Sequence, residues 1–145
     1  VDAEQRVRRA IETGEALERF RRIIEGQGGD PRVVDDYGRL PAAPSTFVLT
    51  ADRAGYLTRL DAGLVGRASV VLGAGRDRVE DAVDPAVGII IRANPGAALA
   101  AGDPILELHY RAQAKLDAAL ALARRAITIG DEPPALRAII VGEVR

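Results

Sequence analysis

The sequence predicts an α+β domain led by a helix. Two changes of pattern along the chain indicate this class. Apolar residues first recur at helical spacing, whereas short runs rich in branched and aromatic residues, separated by turn residues, begin at Thr46. An Ala-rich segment over residues 111–130 then returns to the helical period. A chain of 145 residues has room for one domain with a proper core and a helical extension.

The first predicted element is a helix over residues 2–26. Asp2 followed by Gln5 has the form of a capping box. Apolar side chains then recur at helical spacing, at Val7, Ile11, Leu17, Phe20 and Ile24. Gly14 is a weak point inside this helix. The helix ends in GQGGDP, whose glycines allow the chain to turn and whose proline can open a short helical turn over PRVVDD.

A connector and three further elements follow. The connector YGRLPAAPS, residues 37–45, contains two prolines and a glycine. Strands are predicted over TFVLTA and GYLTRLD, and the three residues between them suit a hairpin or a bend. Asp61 can cap a helix over residues 62–72, although a strand over residues 68–72 remains an alternative because the apolar run is short.

The second half of the chain predicts strand, turn, short extended piece, turn and strand. The strands are residues 87–93 and 105–110, and the turns are NPG and GDP. This order is the outline of half of a small barrel-like sandwich. An Ala-rich helix over residues 111–130, with Gly130 as its stop, and a last strand over residues 136–144 complete the prediction.

The composition excludes several classes of function. The formal net charge is −1, with 20 basic and 21 acidic residues interspersed, so the chain has no long-range field that would attract nucleic acid or an anionic membrane. The absence of cysteine excludes disulfides, thiolate chemistry and Cys-based zinc sites. No apolar run approaches the roughly eighteen residues of a membrane span. We therefore expect a cytoplasmic protein without nucleic-acid or membrane partners.

The chain begins at Val1 and contains no methionine. An open reading frame normally supplies one, so we expect a piece of a longer polypeptide. Removal of an initiator methionine is the alternative explanation.

Several polar residues are candidates for chemistry, and a structural role is the better interpretation of each. His109 and Glu107 lie two residues apart on one face of a predicted strand, which suits an acid/base pair or a half-buried surface pair. The sequence offers no second histidine and no nucleophile to complete a catalytic set, so we favour the surface pair. Acidic pairs at residues 35–36, 80–81 and 131–132 fit solvated ends of elements better than metal loops. We predict no metal site and no cofactor.

The segment NPGAALAAGDPILELH resembles half of the motif of lipoyl- and biotin-carrier domains. Such domains present a lysine at an exposed hairpin tip. The single lysine, Lys115, lies in a predicted helix here, so the architecture can be shared but the carrier activity is not expected.

The stretch VVLGAGRDR, residues 70–78, has the strongest outward likeness to a ligand-binding turn. A dinucleotide fingerprint needs a third glycine three positions after the second, followed by a helix. Arg78 occupies that third position, and Pro85 follows before a helix could extend. The stretch is therefore interpreted as a helix C-terminus with Gly73 in the left-handed conformation.

Three segments follow one another in a recognisable order. They are GEALERFRRIIEGQGGDPRVVDD, GYLTRLDAGLVGRASVVLGAGRDRVEDAVDPAVGIII and GAALAAGDPILELHY. Together they resemble the C-terminal portion of the pyrimidine-nucleoside phosphorylase and thymidine phosphorylase family, over nearly the whole chain. The positions that match the family pattern are Ala16, Leu17, Phe20, Gln27, Gly28, Gly29, Asp30, Leu72 to Arg76, Asp84, Val87 and Gly88.

The resemblance implies a particular domain organisation. Residues 1–36 would be a helical segment linking to an upstream domain that this chain lacks. Residues 37–145 would be the C-terminal α+β domain, a hammerhead-like unit that contains a barrel-sandwich element. The family's enzymes are generally homodimers through helices of the N-terminal domain, so a homodimer formed by that missing domain is expected.

The resemblance also implies a reaction, the phosphorolysis of a pyrimidine nucleoside to free base and pentose 1-phosphate. The family's phosphate loop, base-contacting arginine and lysine, and active-site histidine belong to its N-terminal two-thirds. No catalytic residue is therefore expected in this chain, which alone would be inactive. Gly73, Ala74, Gly75 and Arg76 match a family loop that closes toward the active-site cleft. The alternative hypothesis is a non-catalytic binding or assembly module of the same fold.

Overall fold

The computed structural model describes residues 2–135 and residue 142. Apart from residue 142, the strand predicted over residues 136–144 lies outside the described residues. The chain divides into two compact units, Val1–Pro41 and Ala42–Arg145, called unit 1 and unit 2 below. The described residues form four α-helices and six strands, which establishes the predicted α+β class. None of the described helices is long and apolar enough to cross a membrane.

Unit 1 consists of two helices and two short 3-10 turns. Helix α1 spans Ala3–Glu12 and helix α2 spans Glu15–Gly26. The 3-10 turns are Pro31–Val34 and Tyr37–Arg39. The Asp2 carboxylate accepts the Glu4 N–H at 3.2 Å and so caps α1 as predicted.

The prediction of one continuous helix over residues 2–26 is wrong. Gly14 adopts a φ of 77°, in the left-handed region, so helical hydrogen bonding cannot continue through it. The Thr13 N–H donates to the Arg9 carbonyl at 2.9 Å and closes the end of α1. The weak point noted at Gly14 is therefore a complete break between two helices.

Unit 2 contains two three-stranded antiparallel sheets. The elements in chain order are β1 Ser45–Thr50, β2 Gly55–Leu60, α3 Ala62–Leu72, β3 Gly88–Ile91, β4 Ala98–Leu99, β5 Pro104–Tyr110, α4 Gln113–Ala126 and β6 Ile127–Gly130. One sheet has the order β1-β5-β3 and the other has the order β4-β2-β6. Because β1 and β2 belong to different sheets, residues 52–54 between them form a bend and not a hairpin.

Two predicted elements of unit 2 have a definite outcome. Residues 62–72 form a helix capped by Asp61, whose carboxylate accepts the Leu64 N–H at 2.9 Å, so the strand alternative is wrong. The helix predicted to run to Gly130 ends at Ala126. Ile127 is extended, with φ −98° and ψ 134°, and residues 127–130 pair with β2. The alternation Ile-Thr-Ile suits a half-buried strand better than a helix end.

The core of unit 2 lies between the sheets and the two helices α3 and α4. Its largest fully buried side chains are Leu57, Ile105, Leu106, Leu108 and Leu116. Alanines with no exposed surface mark the inner faces of the helices, at Ala68 on α3 and at Ala119, Ala123 and Ala126 on α4. Small side chains let the helix backbones approach closely, which fits a chain with only 3% aromatic residues. This packing brings the end of α3 next to the start of α4.

Candidate functional site

The loop over Gly73 to Arg76 begins where α3 ends. Gly73 has a φ of 113°, and its N–H donates to the Val70 carbonyl at 2.9 Å. The Ala74 N–H donates to the Ser69 carbonyl at 3.1 Å. This is the left-handed helix end predicted for Gly73.

The second glycine of the loop is required for a different reason. A Cβ at Gly75 would lie 2.7 Å from the Cγ2 atom of Val70, closer than carbon atoms can approach. The loop therefore folds back tightly over the last turn of α3. Gly73 is buried and Gly75 half-buried, whereas the Arg76 side chain is exposed to solvent.

Asp84 fixes the point at which the chain returns to this loop. Its N–H donates to the Gly73 carbonyl at 2.9 Å. One carboxylate oxygen accepts the Ala86 N–H at 3.0 Å, and the other accepts Nε of Arg111. The Arg111 hydrogen bond, together with the Ala86 N–H, holds the pKa of Asp84 below its ordinary value. Asp84 thus connects the end of α3 with the segment that precedes α4.

Basic side chains from two parts of the sequence flank the loop. Arg76, the last residue of the loop, and Arg78, two residues after it, are exposed. Lys115, on the first turn of α4, places its Nζ 3.2 Å from the point that a Cβ on Gly73 would occupy. Lys115 also contributes to the lowered pKa of Asp84, as a smaller effect than Arg111. Arg111 has Asp84 as its carboxylate partner. None of the ion pairs within residues 2–135 includes Arg76 or Arg78.

Sequence reasoning missed the position of Lys115 beside the loop. Forty-two positions separate it from Gly73, counted from 73 to 115. Only the close packing of α3 on α4 joins them, and the periodicity of either helix carries no information about which neighbour it packs on. The sole available signal was the alanine stripe of α4, which indicates an unusually close helix partner.

The residues after Arg76 form a turn that is held by an internal carboxylate. One oxygen of Asp81 accepts the N–H groups of Asp77 at 3.1 Å and Arg78 at 2.9 Å. These are the backbone donors that a phosphate-binding loop would have to direct at its ligand. No helix forms between Gly73 and Gly88, in agreement with the interpretation of this stretch as something other than a dinucleotide site.

His109 and Glu107 form the surface pair favoured from the sequence. Nε2 of His109 lies 2.8 Å from a Glu107 oxygen, and Nε of Arg92 donates to the other oxygen at 2.9 Å. The Arg92 hydrogen bonds are the largest cause of the lowered pKa of Glu107. A carboxylate paired in this way to the arginine that directly follows β3 is a poor general base. Within residues 2–135 and 142, no group of three or more His, Cys, Asp or Glu side chains could hold a metal ion.

Comparison with known families decides where the chain belongs. The family model described as "Pyrimidine nucleoside phosphorylase C-terminal domain" matches residues 56–130. The chain belongs to this family. The match runs from β2 to the last residue of β6 and includes the loop at Gly73 to Arg76. It confirms the resemblance stated from the sequence.

Curated relatives of this chain are similar to it over most of its length. A pyrimidine-nucleoside phosphorylase of Staphylococcus epidermidis (strain ATCC 35984) is 36% identical over 142 residues, covering 96% of this chain and 33% of the relative. One from Staphylococcus aureus (strain bovine RF122 / ET3-1) is 38% identical over 125 residues, covering 82% of this chain and 29% of the relative. The chain spans about a third of the length of these relatives.

Proposed function

We propose that this chain is the C-terminal part of a pyrimidine-nucleoside phosphorylase. The observation that carries the proposal is the family match over residues 56–130, together with relatives of that name that align with nearly the whole chain. In the reaction, the bond between pentose C1 and the base nitrogen breaks, a phosphate oxygen forms a bond to the same carbon, and the proton of the hydrogen phosphate ends on the departing base nitrogen. The products are thymine or uracil and a pentose 1-phosphate.

The residues of this chain support a positioning role in that reaction. The described loop region supplies cations, and its carboxylates at Asp81 and Asp84 are already engaged by backbone N–H groups and by Arg111, so we see no acid or base set there for bond cleavage. We therefore assign the phosphate-binding and base-binding residues to the other two-thirds of the enzyme. This part corresponds to the length of the relatives that does not align with this chain. The isolated chain is expected to be inactive, without a cofactor or a catalytic residue of its own.

Within this proposal, Gly73, Ala74, Gly75 and Arg76 close over the active-site cleft. The loop is anchored at Gly73, which closes α3 and whose carbonyl accepts the Asp84 N–H, while Arg76 at its other end is exposed. A guanidinium group suits phosphate and carboxylate equally, so Arg76 either contacts an anionic ligand or holds the closed state.

The proposal extends to the organisation of the whole enzyme. Two small antiparallel sheets joined by short turns are consistent with a barrel-sandwich element in a hammerhead-like domain over residues 37–145. Residues 1–36 are the proposed link to the upstream domain. We also propose a cytoplasmic homodimer that forms through that upstream domain and binds neither nucleic acid nor membranes.

Phosphate-dependent release of thymine or uracil from nucleosides tests the proposal. It is measured for this chain and for the protein encoded by the complete reading frame. We expect activity in the longer protein and its loss on truncation before Val1. An inactive longer protein, or a reading frame without an upstream phosphorylase segment, would overturn the enzyme assignment and favour the non-catalytic binding or assembly module.

A further inference from the structure

Unit 1 contains an apolar groove between α2 and the two 3-10 turns. The groove has a volume of about 420 Å³. We call it the α2 groove, and its apolar lining is Leu17, Phe20, Ile24, Val33, Val34, Tyr37 and Leu40. Phe20 is 54% exposed and Tyr37 is 77% exposed. Neither α1 nor α2 has a buried residue in the structure, so their apolar side chains form no core of their own.

The walls of the α2 groove are held in place by ion pairs. Arg21, on α2, donates to both carboxylate oxygens of Asp35, at 2.6 and 3.0 Å. Asp30 accepts from Arg32 at 2.8 Å and from Arg39 at 3.2 Å. The Arg21–Asp35 pair joins the segment of the 3-10 turns to α2, and the pairs of Asp30 connect residues within that segment, while the apolar side chains stay uncovered. The groove is therefore preformed and does not need a partner to open it.

An uncovered apolar groove of this kind is typical of an interaction surface. Scattered exposed apolar residues are common on proteins, but contiguous apolar patches with a polar rim mark contacts with other polypeptides. Leu17, Phe20 and Ile24 lie on one face of α2 at spacings of three and four. That face is the one that an amphipathic helix normally buries.

We propose that the α2 groove binds the polypeptide that forms the N-terminal two-thirds of a pyrimidine-nucleoside phosphorylase. The inference rests on the function proposed above. The relative from S. epidermidis aligns with 96% of this chain, so its sequence includes a counterpart of unit 1. About two-thirds of its length lies outside the alignment.

The location of unit 1 in the sequence favours this occupant over a second copy of the chain. The matched model is the family's C-terminal domain and begins at residue 56, after unit 1. The additional length of the relatives therefore lies mainly on the N-terminal side, adjacent in sequence to α1 and α2. The apolar face of α2 lies close in sequence to this N-terminal part. Because the two would be joined in one polypeptide, the N-terminal part is present at high effective concentration near the α2 groove.

Site-specific photo-crosslinking in the protein from the complete reading frame tests this inference. The variant Phe20→p-benzoylphenylalanine places a photoreactive ring in the α2 groove. The matched control, Arg22→p-benzoylphenylalanine, places the same group on the same helix, about 200° around its axis. Arg22 is a suitable control because its side chain is 75% exposed and lies outside the groove. Cross-linked peptides are mapped by mass spectrometry, and phosphorolysis is measured on the same samples.

We expect several-fold more crosslinking to residues upstream of Val1 from position 20 than from position 22. Equal yields from the two positions, or crosslinks from position 20 that join two copies of the protein through this groove, would overturn the inference. The activity measurement separates this result from the proposed function. An active protein without groove-specific crosslinks refutes the docking surface alone, whereas upstream crosslinks in an inactive protein refute the phosphorylase assignment alone.

Discussion

Replacing Gly73 by alanine is expected to destabilise unit 2, and replacing Gly66 by alanine is expected to stabilise it. Both glycines belong to the same helix, since Gly73 ends α3 and Gly66 lies inside it, and both variants add one methyl group. Gly73 has a φ of 113°, which L-residues rarely adopt. Gly66 lies inside the helix, and a Cβ there would meet no atom within 4 Å. The pair therefore separates backbone conformation from the chemical effect of the added methyl group.

The expected magnitude follows from the surroundings of each glycine. At Gly73, the left-handed conformation costs a residue with a Cβ about 1–2 kcal/mol. The nearest atoms to that Cβ would be Nζ of Lys115 at 3.2 Å and Cγ2 of Val87 at 3.6 Å. The lysine end can move aside and the valine distance is an ordinary contact, so the steric contribution is small. At Gly66, alanine removes the entropic penalty of a helical glycine and should add about 0.5–1 kcal/mol.

Urea denaturation followed by far-ultraviolet circular dichroism measures both changes. For a slope of about 2 kcal/mol per molar urea, the Gly73→Ala midpoint should fall by about 0.5–1 M and the Gly66→Ala midpoint should rise by about half as much. Gly73→Val should lose more than Gly73→Ala because a β-branched residue is strained further at positive φ. A Gly73→Ala midpoint equal to or above that of the unmodified chain would refute the assignment of Gly73 as an obligatory left-handed position.

Three further outcomes are expected. Arg76→Ala should change the free energy of unfolding by less than about 0.5 kcal/mol yet lower turnover of the longer enzyme, and unchanged turnover would remove the loop from the mechanism. Asp84→Asn should lower the thermal midpoint at neutral pH through loss of the Arg111 pair. Because folding lowers the pKa of Asp84, its stabilisation exists above its unfolded pKa near 3.8 and disappears as pH falls through the folded value, so the two midpoints should converge in acid. A difference between the two thermal midpoints that does not change with pH would contradict the assignment of the effect to the Asp84 carboxylate. Leu57→Ala should cost about 2–5 kcal/mol in urea denaturation, because Leu57 is fully buried, whereas Val79→Ala, at an 85% exposed position, should be nearly neutral.

Local sequence signals predicted the elements of this fold where local chemistry controls them. Asp2 and Asp61 cap helices as expected, and Gly73 ends α3, because each effect depends on atoms within a few residues. The predicted end of α4 was wrong because the true end depends on a partner that is distant in the sequence. Residues 127–130 leave the helix to pair with β2, about seventy positions earlier in the chain, and no helical pattern encodes that partner.

The candidate site divides in the same way. The loop residues Gly73 to Arg76 could be selected from the sequence because two glycines and an arginine follow an apolar run. The return through Asp84 and the approach of Lys115 depend on tertiary packing between α3 and α4. Sequence reasoning therefore finds the conformation of the loop but not the charges that surround it.

The placement of those charges determines how the loop can act. Arg76 is exposed, and an exposed cation gains little from an anion in water because solvent and salt screen the pair. The same guanidinium group interacts much more strongly once closure removes water from around it. In the closure proposed above, the hydrogen bonds of Gly73 with Val70 and Asp84 anchor the start of the loop, three residues away from the charge itself. If Arg76 acts by closure, Arg76→Ala should therefore lower turnover of the longer enzyme while leaving the anchors, and the stability of this chain, intact.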